Sequence, residues 1–316
     1  MELGENDNKS SITKEIYMAN NHNMSTQNRN LLLHISGGLG KVIMSTAVIR
    51  SYKQKYPNAK IVVVSAYPEV YVNNPDVYRF YSFNTPYLWQ DYYGKSDWKV
   101  YAQDPYFNES WIKDEEIHLI DVWCKELGIP STQKTPLLFF SGPELDELNS
   151  MITVNLPLMV VQSTGGSNPK ARSWTRNIPQ NELEEYLKKY QESHFIVHLA
   201  LPETPVLQNI HQRIDSLDRR KAMCLVYFAH AVVGIDSFAL HTRAANPEKG
   251  MSVFFFPLTK SVSRLGYSGI KMITPVTEVQ KLIEEHHDYY ATVFRLGIEN
   301  DGSNCPIPGG IKWFEI

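Results

Sequence analysis

The chain reads as an α/β protein made of two Rossmann-like domains that face each other across a cleft. Three observations carry this reading. Short apolar runs alternate with helical patterns along most of the chain. Two of those runs end in glycine-rich loops, Gly37-Gly-Leu-Gly40 and Gly165-Gly166. The alternation breaks near Ser141-Gly-Pro143 and then restarts. In such sheets, ligands bind beyond the carboxyl ends of the strands.

Residues 1–28 are rich in Asn, Ser and Lys and poor in apolar side chains, which predicts a disordered tail. The first domain is placed at 29–148. It opens with strand Leu31–Ile35, the glycine turn, and a helix from Lys41 to Lys55 that Tyr56-Pro57-Asn58 ends. Strand Ile61–Ser65 follows, with Glu69 in the loop at its carboxyl end, then a turn at Asn73–Asp76. A third strand, Trp98–Ala102, leads to Asp104-Pro105. A helix over Ile117–Leu127 stops at Gly128, with Pro130 beyond.

The second domain is placed at 149–290, with a boundary near 141–155. Its elements are strand Leu158–Gln162, a loop over Ser163–Pro169, helix Asn181–Gln191 and strand Phe195–Leu199. A helical stretch over Cys224–Ala231, strand Val232–Ile235, a helix opening at Asp236-Ser237 and a last strand at Ser252–Phe256 complete it. Val279–Tyr290 is helical in pattern and is expected to pack back across the first domain. Residues 291–316 form a C-terminal tail.

Composition narrows the function classes. Net charge is −3, so no global basic field gathers nucleic acid, although a local patch remains open. Arg219-Arg220-Lys221 is one such run, and a run of three is usually a solvated face. Cys124, Cys224 and Cys305 are far apart and have no metal spacing, which fits reduced thiols in a cytoplasmic protein. No apolar segment reaches membrane-spanning length, and the N-terminus has no signal-peptide core.

The first glycine loop matches neither common phosphate fingerprint. The dinucleotide motif needs glycine where Ile43 stands. The ATPase loop needs glycine at Ile35 and Ser or Thr at Val42. Gly38 and Gly40 still place free N–H groups at a helix start, which suits a site or a mere tight turn. In the second domain, Ser237 and the N–H groups from Phe238 onward suit a phosphate, with Asp236 on a sugar hydroxyl and His241 one turn later. Simple helix capping by Asp236-Ser237, and a core role for His241, are the alternatives. Thr164 and Gly165 lie in the second glycine loop. Lys170 and Arg172 beside it suit a diphosphate, or a solvated basic loop. No Asp-x-Asp occurs, which argues against a metal-bridged diphosphate; no metal or resident cofactor is expected.

Gly37-Gly-Leu-Gly-Lys-Val-Ile-Met-Ser-Thr-Ala-Val-Ile-Arg50, then Lys55-Tyr-Pro-Asn-Ala-Lys-Ile61, then Asn74-Pro-Asp-Val-Tyr78 resembles the N-terminal half of the heptosyltransferase-like (family 9 type) glycosyltransferases. Glu126-Leu-Gly-Ile-Pro130 fits the same pattern, and Asp236-Ser-Phe-Ala-Leu-His241 looks like that family's Asp-Ser-Gly-x-x-His donor motif. The order and spacing hold from about 30 to 275, and Lys after the glycine turn resembles a phage-like subgroup. The resemblance implies the GT-B fold, an N-terminal acceptor domain and a C-terminal nucleotide-sugar domain. It also implies transfer of a sugar from a nucleotide diphosphate to an acceptor hydroxyl; the sequence leaves open whether that acceptor is a glycan or modified phage DNA.

Two departures matter. The family's general-base Asp is replaced by Lys41, and its small residue after Asp-Ser is Phe238. Lys41 would act as a base only with a lowered pKa; otherwise its stem carries the charge to water, or it meets a phosphate. Asp104, on the same carboxyl edge, is the better candidate base, with capping of the Asp104-Pro105 turn as its other role. Glu69 is the reserve. Loss of the family Asp also keeps open a non-catalytic nucleotide-sugar-binding protein. A fucosyltransferase-like enzyme, which shares a Gly-Gly-Leu-Gly turn, is disfavoured by the Asp-Ser…His motif.

Overall fold

The structure, a computed structural model, describes residues 29–113, 116–152, 155–165, 177–202, 204–284 and 312–315. It contains two parallel sheets, one from each half of the chain. The first is ordered β3-β2-β1-β4, with β1 Asn30–Ile35, β2 Ile61–Ser65, β3 Arg79–Tyr81 and β4 Trp98–Tyr101. Leu31, Leu33 and Ile35 face the core under helix α1 (Leu39–Lys55), whereas Leu32, Val62 and Val64 pack beneath Leu88, Tyr92 and Trp98. Both faces are covered, so the strands read as continuous apolar runs rather than as an alternation. Helix α2 (Leu119–Leu127) starts at His118 and stops at Gly128, whose left-handed φ of 69° closes the helix, as the sequence predicts.

Helix α3 (Gly142–Met151) occupies the predicted break between the units, and a Ser141/Glu144 capping box starts it. The second sheet is ordered β10-β9-β8-β5-β6-β7, from β5 Leu158–Gln162, β6 Phe195–Ala200, β7 Gln212–Asp215, β8 Ala231–Ile235, β9 Met251–Phe255 and β10 Lys271–Ile273. The helices of this half are α4 (Gln180–Lys188), α5 (Arg219–Phe228), α6 (Phe238–Ala244) and α7 (Thr259–Leu265). Arg243, fully buried in α6, donates to Ala229 O, Gly250 O and Ser252 Oγ, tying the helix to the β8 and β9 ends.

Three expectations change. Strands β3, β7 and β10 are additional, so Ser252–Phe256 does not hold the last strand. Helix α5 begins at Arg219 because Asp218 accepts from the N–H groups of Arg220 and Lys221. As far as it is described, to residue 284, the helical segment near Val279 packs on the second domain rather than the first, with Val279 and Ile283 against Leu258. The remainder to Tyr290, the N-terminal tail and most of the C-terminal tail lie outside the described residues.

Candidate active site

In each sheet the chain leaves one strand in both directions, which opens a crevice at the carboxyl ends of two neighbouring strands. In the first domain those strands are β1 and β4. The turn after β1 holds Gly37 at φ 93°, and a Cβ there would come within 2.7 Å of the Lys41 side chain. Lys41 therefore folds back over the turn instead of extending to water, and is 6% exposed. Its Nζ donates to Asp104 Oδ2, just beyond β4, at 2.6 Å. Asp104 Oδ1 accepts the Tyr106 N–H at 3.1 Å. Asp104 thus combines the capping role with a charge partner 63 residues away. Gly38 caps α1 through its backbone alone, and the space its missing side chain would fill is open.

In the second domain the crevice lies between β5 and β8. Gln162 ends β5, with Thr164 and Gly165 just beyond it; Asp236 and Ser237 follow β8, and Phe238 opens α6. Ser237 caps α6 by accepting the Ala239 N–H at 3.3 Å, and its hydroxyl donates to the Gln162 side-chain oxygen across the crevice. Gln162 in turn donates to Thr164 O at 3.3 Å. Thr164 lies against Thr204, hydroxyl to hydroxyl at 3.3 Å, and Gly165 N–H donates to Asn177. Ser163 bonds the fully buried His198 at 3.0 Å. Burial pushes the His198 imidazole down to about 4, so it is neutral near pH 7. Gln162 and His198 carried no signal that separates them from ordinary strand residues. Lys170 and Arg172 lie outside the described residues.

The two crevices meet. A Cβ on Gly40 would stand 2.6 Å from His241 Cδ2 and 3.7 Å from the Phe238 backbone nitrogen, so glycine here permits helix α1 to touch α6. His241 is buried, with Nδ1 2.8 Å from the Tyr267 hydroxyl and Nε2 4.0 Å from Asp236 Oδ1. Burial, then the nearby Tyr106 and Asp236 charges, hold Tyr267 well above the usual phenol range, so it keeps its proton. Its ring lies against His118 of the first domain at 5.2 Å. Burial pushes His118 down to about 4. Lys41, Asp104, Tyr106, Tyr267, His241 and Asp236 therefore form one assembly from both halves. Tyr267 was missed because it follows no motif and reaches the site only through tertiary packing.

Glu69 is elsewhere. Its carboxylate is 4.0 Å from Arg219, and its main-chain oxygen accepts from Arg220 at 3.3 Å. Arg220 also donates to Glu144 at 2.6 Å and to Phe139 O, with its guanidinium 4.3 Å over the Phe140 ring. Arg220 is thus a strut between domains, and the Arg219–Lys221 run is no uniform solvated patch. A cavity of about 110 Å³ nearby, lined by Glu144, Leu148, Arg220 and Cys224, is small beside a typical ligand pocket of roughly 300–1,000 Å³. Among the described residues no helix is long and apolar enough to cross a membrane, and no group of three His, Cys, Asp or Glu side chains could hold a metal.

No family model matches the chain, and no curated protein matches it. Solved structures do. A glycosyl transferase family 9 protein from Veillonella parvula matches at a TM-score of 0.59 and 10% identity, over 87% of this chain and 98% of that one. The Escherichia coli ADP-heptose LPS heptosyltransferase II matches at 0.56 and 14%, over 83% and 99%. An E. coli heptosyltransferase solved with ADP matches at 0.53 and 9%, again over 83% and 99%. At these identities the likeness establishes the fold, which is GT-B.

Proposed function

We propose that this protein is a glycosyltransferase that moves a sugar from a nucleotide-diphosphate sugar to an acceptor hydroxyl. One observation supports this above the rest: the crevices of both sheets converge on a single assembly containing Asp104, Lys41, His241 and Asp236. Fold likeness to structures whose names record heptosyl transfer and ADP agrees with that chemistry. The donor is assigned to the second crevice, where Ser237, Thr164, Gly165 and the N–H groups near Phe238 offer donors to a diphosphate, and Asp236 takes a sugar hydroxyl. Lys170 and Arg172 supply further positive charge.

Asp104 is assigned as the base. The acceptor oxygen forms its bond to the anomeric carbon, the carbon–oxygen bond to the diphosphate breaks, and the acceptor proton passes to the Asp104 carboxylate. Lys41, on Asp104, fixes the carboxylate and offers positive charge to the developing diphosphate anion. The acceptor is a glycan or modified DNA. No resident cofactor or metal takes part, since the chain has no Asp-x-Asp to bridge a metal to the diphosphate.

A second reading, a nucleotide-sugar-binding protein without turnover, draws on the pairing of Asp104 with Lys41, which occupies one carboxylate oxygen. Nucleoside-diphosphate release with candidate nucleotide sugars, with and without acceptor, separates the two. Release that needs acceptor and survives chelator supports transfer. Saturable thermal stabilisation by the sugar nucleotide with no release supports the binding protein. A strict need for added Mg or Mn contradicts metal-free transfer.

A further inference from the structure

The segment from Tyr78 to Phe107 has twelve aromatic residues in thirty, against 12% aromatic for the whole chain. Many are needed to roof the first sheet, and Tyr92 and Trp98 do so. Others are not buried. Tyr87 is 70% exposed, Trp89 52% and Phe83 39%. Phe83 and Trp89 are nonetheless held by neighbouring rings. Phe83 stacks on His34 with ring centroids 4.9 Å apart and planes 18° apart. His34 Nδ1 lies 2.5 Å from the Tyr93 hydroxyl, and Tyr93 lies nearly parallel to Trp89, at 9° and 6.2 Å. Two stacked pairs are thus joined by a hydrogen bond into one surface.

That surface is placed where an acceptor would need it. Phe83 follows the carboxyl end of β3 by two residues, and His34 lies three residues before Gly37, whose turn supports Lys41. Tyr87 holds φ at 65°, a region bulky side chains avoid, although a glycine would fit there without strain and add no exposed ring. Exposed aromatic patches of this kind mark binding surfaces. Charge says what they bind. Within this segment Arg79 and Lys95 are matched in number by Asp91 and Asp97, Asp104 is already paired with Lys41, and Lys99 donates to Leu127 O. Burial lowers the His34 pKa and raises Tyr93 to about 12, so both are neutral near pH 7. A phosphate backbone or an acidic polymer would find no excess of cations here.

We propose that Phe83, Tyr87 and Trp89 form a stacking platform for the acceptor, and that this acceptor is an uncharged glycan whose pyranose C–H faces lie on the rings. The assignment rests on the glycosyltransferase reading and extends it to the acceptor class. Flat amphipathic rings suit a sugar, which has apolar ring faces and polar edges.

The test uses the full chain with maltohexaose and chitohexaose as neutral probes, and an oligogalacturonate and a single-stranded oligothymidylate as anionic ones. Binding is followed by calorimetry at about 50 and about 500 mM salt, where screening separates the two classes. A neutral probe should bind with little salt dependence, and Trp89→Ala and Tyr87→Gly should each weaken it by about tenfold, or about 1.4 kcal/mol. Tyr87→Gly suits the local backbone, so its melting temperature should hold. Failure of every neutral probe, wild-type affinity in both variants, or tighter salt-sensitive binding of an anionic probe overturns the proposal. So does a concentration-dependent dimer that both variants abolish, since the surface would then serve a second copy. Thermal stabilisation by nucleotide sugars, measured on the same variants, should be unchanged. Its presence alongside a failed platform test would sink the acceptor claim alone, and its absence from the wild type would sink the transferase reading beneath it.

Discussion

The two crevices are built from the same topology but carry opposite chemistry. Where β1 and β4 part, the contact across the crevice is an ion pair, Lys41 with Asp104. Where β5 and β8 part, it is a hydrogen bond between neutral groups, Ser237 with Gln162. An anion entering the first crevice must compete with a carboxylate already seated on the lysine. In the second, it meets hydroxyl and N–H donors, and the short polar contacts there can exchange partners without separating charges. The difference argues for proton transfer in the first domain and nucleotide binding in the second. It also gives Lys41 a place: a cation at a helix start is disfavoured by roughly 0.3–1 kcal/mol, and Asp104 offsets that.

The sharpest way to break this division is Asp104→Asn. If the carboxylate takes the acceptor proton, turnover should fall by about 10²–10⁴-fold while the affinity for nucleotide sugar stays near wild type. Donor affinity lost together with turnover would merge the two crevices into one function. Asp236→Ala should do the reverse. The loss of a hydrogen bond to a charged group costs about 1.5–3 kcal/mol, so donor affinity or turnover should drop roughly ten- to hundredfold with the melting temperature held. An unchanged donor affinity and rate would remove the donor from the second domain.

The regions also differ in how much of them the sequence discloses. β2 and β8 are buried along their length and β1 and β5 along most of it, and their apolar runs read directly. β3, β7 and β10 are sheet edges of three or four residues whose side chains, Ile273 apart, are half-exposed or exposed, so no periodicity marks them. The glycine turn and the Asp236–His241 motif are local and legible. The Lys41–Asp104, His241–Tyr267 and Gly40–His241 contacts join residues 26 to 201 positions apart, and only folding brings them together. Gly40 shows what a local reading leaves out: its place at the helix start is legible, but the room its missing side chain leaves for His241 is not.

Two stability predictions sharpen the comparison by testing what holds the crevices opposite each other. Arg220→Ala removes bonds to Glu144, Phe139 O and Glu69 O, and should destabilise by about 1.5–3 kcal/mol in a urea melt. Burial alone would raise the Glu144 carboxyl, but the bonds from Arg220 and Ser141 outweigh it and hold it at about 2. With the folded pKa below the unfolded one, the unfolded chain binds more protons in that window. This stabilisation is therefore present above about pH 4.5 and lost as pH falls towards about 2, and the Ala variant should lose most of this acid dependence. Gly40→Ala places a methyl against His241 and should cost about 1–3 kcal/mol by overpacking. A stable Gly40→Ala with full activity would mean the helices can separate without consequence.

Tyr267→Phe should have the smallest effect and bears most closely on how the domains communicate. The ring that lies on His118 is kept, and only the hydroxyl at His241 Nδ1 is removed. Stability should fall by about 0.5–1.5 kcal/mol, the usual worth of one hydrogen bond. If the hydroxyl merely fills space, kinetics will not change. If it holds the His241 ring beside Asp236, donor affinity should weaken severalfold, with Asp104-dependent turnover at saturating donor nearly unaffected. The two outcomes separate in a KM-against-kcat comparison. A fall in kcat alone would tie Tyr267 to proton transfer and place His241, rather than Asp104, nearest the acceptor.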